Sequence, residues 1–136
     1  MIDKEIIKIA SNTENHGMLD NHTHFSKLKN AICGDEMKVY LIVKNNKIIN
    51  FKYECESCIY CQASVSLLSR KAKSKSIEKV KNFAEQAKNY FDKSSKSRDK
   101  EWKEFDMIMT KNNISSKECL LLPLKTTLDA LNKKSL

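Results

Sequence analysis

Two runs of alternating apolar residues, joined by a short asparagine turn, constrain the fold of this chain more than any other feature. Apolar side chains recur at every second position at Met37, Val39, Leu41 and Val43, and again at Ile49, Phe51, Tyr53 and Cys55. Residues 44–47 read Lys-Asn-Asn-Lys, and asparagine tolerates the positive φ angles of tight turns. The pattern predicts an antiparallel β-hairpin.

Helical periodicity dominates the rest of the sequence. Apolar residues at helical spacing predict helices near residues 2–11, 58–71, 77–90, 102–109 and 122–131. Ser76 is a suitable N-cap for the third of these helices. Residues 21–30 have no clear period and leave room for an edge strand. We therefore predict a single α+β domain over residues 1–136, with a small three-stranded antiparallel sheet and helices packed on one face.

The start of the last helix decides the environment of Cys119. Proline is tolerated in the first turn of a helix, so Pro123 favours a start near Leu122, with Cys119 in or just before the first turn. A possible capping box, Ser115-x-x-Glu118, competes with that start and would place Cys119 inside the first turn. Both interpretations bring the thiol close to backbone N–H groups, a setting that favours the thiolate.

The cysteine content fits a reducing compartment. The first residues, Met1-Ile2-Asp3-Lys4-Glu5, are charged and lack the apolar segment of a secretory signal, so we expect a cytoplasmic protein. No stretch is long and apolar enough for a membrane span. In this setting the five cysteines, an odd number, are better explained as ligands, reactive thiols or buried apolar groups than as disulfides.

Three cysteines and one aspartate from separate segments form a candidate metal or iron–sulfur site. Gly34 lets the backbone turn sharply, so Cys33 and Asp35 can face one point, and Cys58 returns to the same end of the hairpin. Cys119 reaches this end if the C-terminal helix packs across it. Three thiolates and one carboxylate suit tetrahedral zinc, and the same sulfur atoms suit a small iron–sulfur cluster.

The residues around these ligands resemble a known family. The matching segments are His16–Asp20, Leu28–Asp35 with its Cys-Gly-Asp ending, Cys58–Ser66, and Cys119–Leu124 with its Cys-x-x-Leu-Pro core. Their order resembles the U-type iron–sulfur assembly proteins, which comprise IscU, SufU and the N-terminal domain of NifU. The 61-residue separation between Cys58 and Cys119 is similar to that of the SufU type, which carries an extra segment before its third cysteine.

The resemblance implies a function and a set of partners. It makes Cys33, Asp35, Cys58 and Cys119 the ligands of zinc or a [2Fe–2S] cluster, and Cys119 the thiol that accepts sulfur from a cysteine desulfurase. The protein would then pass its cargo to apo iron–sulfur proteins or a downstream carrier, without independent turnover. The Leu-Pro-Pro-Val-Lys segment that Hsp70-type chaperones recognise in IscU is absent ahead of Cys119, so we expect no such chaperone as a partner.

Two positions near Cys119 depart from the family pattern. Glu118 stands where IscU has a histidine, and Ser116 stands where SufU proteins carry a basic residue. The absence of that basic residue at Ser116 is unfavourable for docking to a SufU-type desulfurase.

The remaining cysteines and histidines have alternative interpretations. Cys55-x-x-Cys58-x-x-Cys61 looks like part of a bacterial ferredoxin motif and could be a local cluster, a zinc knuckle or an electron-carrier site. No fourth cysteine followed by proline is nearby, and Cys55 and Cys61 fit the apolar faces of their elements, so we favour buried thiols. His22 and His24 are either further ligands or histidines of an exposed loop or edge strand, and we favour the second interpretation.

The net charge of +8 is concentrated in one stretch. Residues 70–103 contain 12 lysines and arginines against 5 acidic residues, an excess of seven. This stretch is either a docking surface, which would make the protein a basic adaptor, or a solvated lysine-rich helix face. No nucleic-acid-binding motif accompanies it, so we do not expect a nucleic-acid partner.

Overall fold

The computed structural model describes residues 4–31, 34–91 and 100–133. The helices and strands, in chain order, are α1 (Lys4–Ala10), β1 (His24–Lys29), β2 (Glu36–Lys44), β3 (Lys47–Glu56), α2 (Ile59–Ala72), α3 (Ile77–Gln86) and α4 (Lys117–Asn132). Short 3₁₀ segments at Ala87–Phe91, Lys100–Met107 and Lys111–Ser116 connect the last two helices. The predicted α+β class is confirmed.

The three strands form one antiparallel sheet in the order β1-β2-β3. Asn45 and Asn46 connect β2 to β3 with φ angles of 53° and 63°, the left-handed conformation that a two-residue hairpin turn requires. The predicted hairpin and its asparagine turn are confirmed. Strand β1 occupies the edge position that the irregular pattern of residues 21–30 left open.

A β-bulge near the turn changes which residues of β3 face the core. The register shifts between Ile42 and Val43, so that Ile42 pairs with Asn50 whereas Val43 pairs with Ile48. Ile49 is the extra residue at this shift, and it is 50% exposed whereas Ile48 is fully buried. The prediction that Ile49 shares the buried face of Phe51 and Tyr53 was therefore wrong, because strict alternation does not survive a bulge.

Two helices, α2 and α4, pack directly against the sheet. Helix α2 lies against β3, and α4 lies against β1 and β2; α1 packs on α2, and α3 packs on α4. Helix α2 is central in this layer, since nine of its residues are buried and the buried positions are not confined to a single stripe. The buried core draws on all four helices, including Ile6 of α1, Leu68 of α2, Phe83 of α3 and Leu120 of α4.

Helix α3 begins as predicted. The Ser76 side chain accepts a hydrogen bond of 3.2 Å from the backbone N–H of Lys79, which confirms the N-cap. The predicted helix around Trp102 is a 3₁₀ segment, and the Trp102 ring stacks on Phe83 with 4.2 Å between the ring centres. The polar residues 92–99, predicted to interrupt the helical pattern, lie outside the described residues.

Helix α4 begins earlier than proline placement predicted. It starts at Lys117, so the predicted start near Leu122 was wrong and Pro123 is an interior residue. The capping box at Ser115 does not form, because the N-cap is Ser116 and makes no side-chain capping hydrogen bond, but the position that the box implied for Cys119 is confirmed. Pro123 removes one N–H donor, the one that would serve the carbonyl of Cys119, and its ring crowds that carbonyl, so the packing of α4 has to offset the cost. Cys119 therefore lies inside the first turn.

Candidate metal centre

Three elements carry candidate ligands to the same end of the sheet. Asp35 lies in the loop directly before β2, Cys58 is the N-cap residue of α2, and Cys119 is the third residue of α4. The backbone of Cys58 is extended, and its side chain makes no capping hydrogen bond. The thiol of Cys58 therefore does not cap its helix and is available as a ligand.

The loop before β2 is closed by its own backbone. The N–H of Gly34 donates to the carbonyl of Asn30 at 2.7 Å, and the N–H of Asn30 donates to the carbonyl of Asp35 at 2.8 Å. Gly34 has a φ angle of 76°, which costs glycine little and strains any other residue. The loop thus fixes the position of Asp35 at the start of β2. Cys33 lies outside the described residues, so its place in the site stays a prediction.

The ligand atoms of Asp35, Cys58 and Cys119 converge. One carboxylate oxygen and the two sulfur atoms all lie within 4.8 Å of one another. Tetrahedral zinc ligands, with metal–ligand distances of about 2.0–2.3 Å, would be separated by about 3.3–3.8 Å. A shift of roughly 1 Å is therefore enough for the three atoms to bind one ion, and no other set of this kind occurs among the described residues.

The carboxylate of Asp35 fits a bound cation. The residue is only 7% exposed, and its Oδ2 is buried without a hydrogen-bond partner among residues 4–31, 34–91 and 100–133. A buried carboxylate oxygen without a partner is unfavourable, and a metal ion is one of the few groups that compensate it. The donor set, two thiolates and one carboxylate, is suited to zinc or to iron–sulfur chemistry.

Cys55 and Cys61 differ from the converging thiols. Cys61 is fully buried, and burial raises the pKa of its thiol far above the ordinary range. Cys55 is half-buried at the end of β3, and burial also raises the pKa of its thiol. In the described part of the chain, neither thiol joins a set of three converging ligands. The geometry gives no support to a local site at Cys55, Cys58 and Cys61.

The sequence analysis did not predict the buried hydroxyl of Ser57, which lies beside these thiols. Ser57 Oγ is buried next to Cys55 and Cys61, without a partner of normal hydrogen-bond geometry in the described ranges. Serine is common on protein surfaces, so no sequence signal marks this position.

The two candidate histidines lie apart from the converging ligands. His22 Nδ1 is 2.7 Å from the carbonyl oxygen of Leu19, and its ring packs against Phe25 and Tyr40. His24 lies on the edge strand β1, with its Nδ1 2.8 Å from Thr23 Oγ1. Both histidines therefore make structural contacts, one in a loop and one in the edge strand, as we favoured. Both are half-buried, whereas the prediction had them exposed.

Several cations of the basic stretch are used within the protein. Lys71 forms an ion pair with Glu104, and Lys79 forms one with Glu101 at 2.9 Å. Lys75 lies over the Trp102 ring, 5.0 Å from its centre. These three cations hold the 3₁₀ segment Lys100–Met107 against α2, α3 and the loop between them, so they are not reserved for a partner.

None of the helices in the described ranges has the length and apolar character that crossing a bilayer requires.

Comparison with known proteins agrees with the fold and extends over nearly the whole chain. The iron–sulfur cluster assembly scaffold protein IscU of Thermotoga maritima is 29% identical over 135 residues, which cover 99% of this chain and 95% of the relative. The solved structure of SufU from Fervidobacterium islandicum has a TM-score of 0.81 at 26% identity and covers 96% of both chains.

A second solved structure shares the fold. The N-terminal part of a NifU-like protein from Brucella abortus has a TM-score of 0.82 at 19% identity, with 95% of this chain and 90% of that chain covered. The family model described as NifU-like N terminal domain matches residues 1–101, a range that contains Asp35, Cys58 and most of the fold. The chain therefore belongs to the family of NifU-like N-terminal domains.

Proposed function

We propose that this protein is a scaffold for iron–sulfur cluster assembly. The observation that carries the proposal is the convergence of Asp35, Cys58 and Cys119 from three distant segments to within 4.8 Å. The scaffold function in the name of the Thermotoga maritima relative, which aligns over nearly the whole chain, supports the same role.

The proposed site is completed by Cys33. This residue lies two positions before Asp35, so it is the natural fourth ligand for the three that converge. We expect zinc in the resting protein and a nascent [2Fe–2S] cluster, as cargo, during assembly. Zinc would keep the cysteine ligands as thiolates and shield them from solvent until a partner opens the site.

Cys119 is proposed as the sulfur acceptor. Its thiolate would attack the terminal sulfur of a persulfide on a cysteine desulfurase, forming a new S–S bond as the bond within the donor persulfide breaks. The desulfurase cysteine leaves as a thiolate, so the step needs no external oxidant or reductant. Cys119 is suited to this role because the N–H groups in the first turn of a helix favour negative charge. The protein would carry sulfur to apo proteins or a downstream carrier and would not turn over a substrate alone.

Sulfur labelling tests the proposal directly. The purified protein is incubated with a cysteine desulfurase and free cysteine, and peptides are analysed by mass spectrometry. We expect added sulfur at Cys119 before any other position, and none there in the Cys119→Ser protein. First labelling at Cys58 or Cys33 would contradict the assigned role. A stable cluster that is reversibly reduced, with no sulfur labelling, would favour the electron-carrier alternative.

A further inference from the structure

A buried serine links the two helices that carry the sulfur ligands. Ser64 lies in α2 and is fully buried, and its hydroxyl donates a 2.6 Å hydrogen bond to the backbone carbonyl of Leu120 in α4. Leu120 directly follows Cys119, and Ser64 lies on the same helix that Cys58 begins. This hydrogen bond therefore connects the two helices one residue away from a candidate ligand.

The direction of this hydroxyl is unusual for a helical serine. Serine inside a helix commonly bonds a carbonyl three or four residues earlier in its own helix, as Ser69 does with Ser66. Ser64 instead reaches across to α4. The first turn of α4 also lacks a side-chain cap, because Ser116 makes no capping hydrogen bond. The contact with Ser64 is thus a polar anchor for a turn that its own N-cap side chain does not hold.

We infer that Ser64 is a positioning residue for Cys119. Its hydrogen bond fixes the first turn of α4 against α2, and so sets the distance between the sulfur atoms of Cys119 and Cys58. The inference rests on the proposed function, since the distance matters only if both sulfur atoms bind one ion. The sequence places Ser64 and Ser66 in the same family-like segment, Cys58–Ser66, and does not show which of the two bonds to α4.

Ser66 provides a matched control in the same helix. It is 1% exposed, and its hydroxyl donates a hydrogen bond of the same length, 2.6 Å, to the carbonyl of Asn12 in the loop after α1. Both serines bond a backbone carbonyl in another segment, but only Ser64 bonds the segment that contains Cys119. Removing either hydroxyl should lower stability similarly, whereas only Ser64→Ala should alter the metal site.

The experiment compares the wild-type chain with Ser64→Ala and Ser66→Ala. Each protein is loaded with Zn²⁺, and the rate of zinc loss to a chelator is measured. Co²⁺ loading then gives the thiolate–metal absorption spectrum, which reports the ligand geometry. We expect Ser64→Ala to lose zinc about tenfold faster and to show a changed Co²⁺ spectrum, as removal of a supporting contact does in other metal sites. Ser66→Ala should match the wild type in both measurements.

The outcomes separate this inference from the proposed function. A wild-type protein that binds no zinc and no cobalt overturns both. A wild-type protein that binds one ion, with equal release rates and spectra for Ser64→Ala and Ser66→Ala, overturns the inference alone. If Ser64→Ala does not keep the native circular dichroism spectrum, Ser64→Thr decides. This variant keeps the hydroxyl, so a wild-type release rate supports the inference and a tenfold faster rate in a folded protein overturns it.

Discussion

The two ends of α2 differ in how their polar groups are satisfied. At the C-terminal end, Arg70 donates to the Ser66 carbonyl, Lys71 pairs with Glu104, and Lys73 donates to Asn15. At the N-terminal end, the side chain of Cys58 makes no capping hydrogen bond. The buried atoms Asp35 Oδ2 and Ser57 Oγ nearby have no partner in the parts of the chain that the structure describes.

This difference sets the N-terminal end of α2 apart as the candidate site. Most buried polar groups in folded proteins have hydrogen-bond partners, so exceptions that occur together need an explanation. The charged side chains at the C-terminal end of α2 bind neighbouring segments of the same chain, and so they stabilise the fold. The N-terminal end leaves unsatisfied groups beside two converging sulfur atoms. A bound cation would satisfy the Asp35 carboxylate oxygen there, which no group of the described chain does.

The strongest test of the comparison removes one sulfur ligand at the N-terminal end. Cys58→Ser should abolish stoichiometric zinc binding, and the melting temperature of the zinc-loaded protein should fall. The effect should be large because structural zinc contributes on the order of 10 kcal/mol to folding. Metal analysis and thermal melts in zinc and in chelator measure it. Cys55→Ser is the control, since Cys55 is outside the converging set. A Cys58→Ser protein that keeps its zinc would remove the basis for the comparison.

The second test changes the unpartnered carboxylate. Without metal, Asp35→Asn should be neutral or stabilising by about 1–3 kcal/mol, because it replaces a buried charge whose Oδ2 has no partner with a neutral amide. With zinc, the same substitution should be destabilising, because a ligand is lost. Urea unfolding in zinc and in chelator gives both free energies. An effect of the same sign in both conditions would show that Asp35 does not face the metal.

The third test concerns the buried thiol of Cys61. Burial raises the pKa of this thiol above its ordinary value of 9.0, so the folded protein keeps the proton at pH values where the unfolded chain loses it. The stability that depends on this proton is present below pH 9 and is lost as the pH rises above it. Between pH 9 and 10 the free energy of unfolding should fall by about 1 kcal/mol more in the wild type than in Cys61→Ala.

Unfolding curves at several pH values measure this slope, and metal analysis of Cys61→Ala accompanies them. The variant should keep its zinc and lose about 1 kcal/mol of stability at neutral pH. Parallel slopes for the two proteins would mean that the Cys61 thiol is not shielded from water. Loss of zinc would restore the local three-cysteine interpretation.

Local sequence chemistry predicted much of this fold and less of its site. The β2–β3 turn and the Ser76 cap depend on single residues with strong backbone preferences, and both were predicted correctly. The start of α4 was not, because the proline preference is weaker than the packing of α4 against α2 and the sheet. The contact between Ser64 and Leu120 joins residues 56 positions apart, and no local pattern encodes such a pairing.

The last and smallest effect is expected beyond the C-terminal end of α2, in the neighbouring basic helix α3. Lys79→Gln breaks an ion pair with Glu101 whose side chains are 51% and 37% exposed, and exposed pairs contribute about 0–1 kcal/mol. A double-mutant cycle with Glu101→Gln should give a coupling energy in this range that decreases as salt is added. Sulfur labelling of Cys119 by a desulfurase should be unchanged in Lys79→Gln if this end of α2 and its neighbour α3 serve stability alone. A labelling rate that falls several-fold, in a variant with wild-type zinc content, would instead make the basic stretch a docking surface and would erase the division between the two ends.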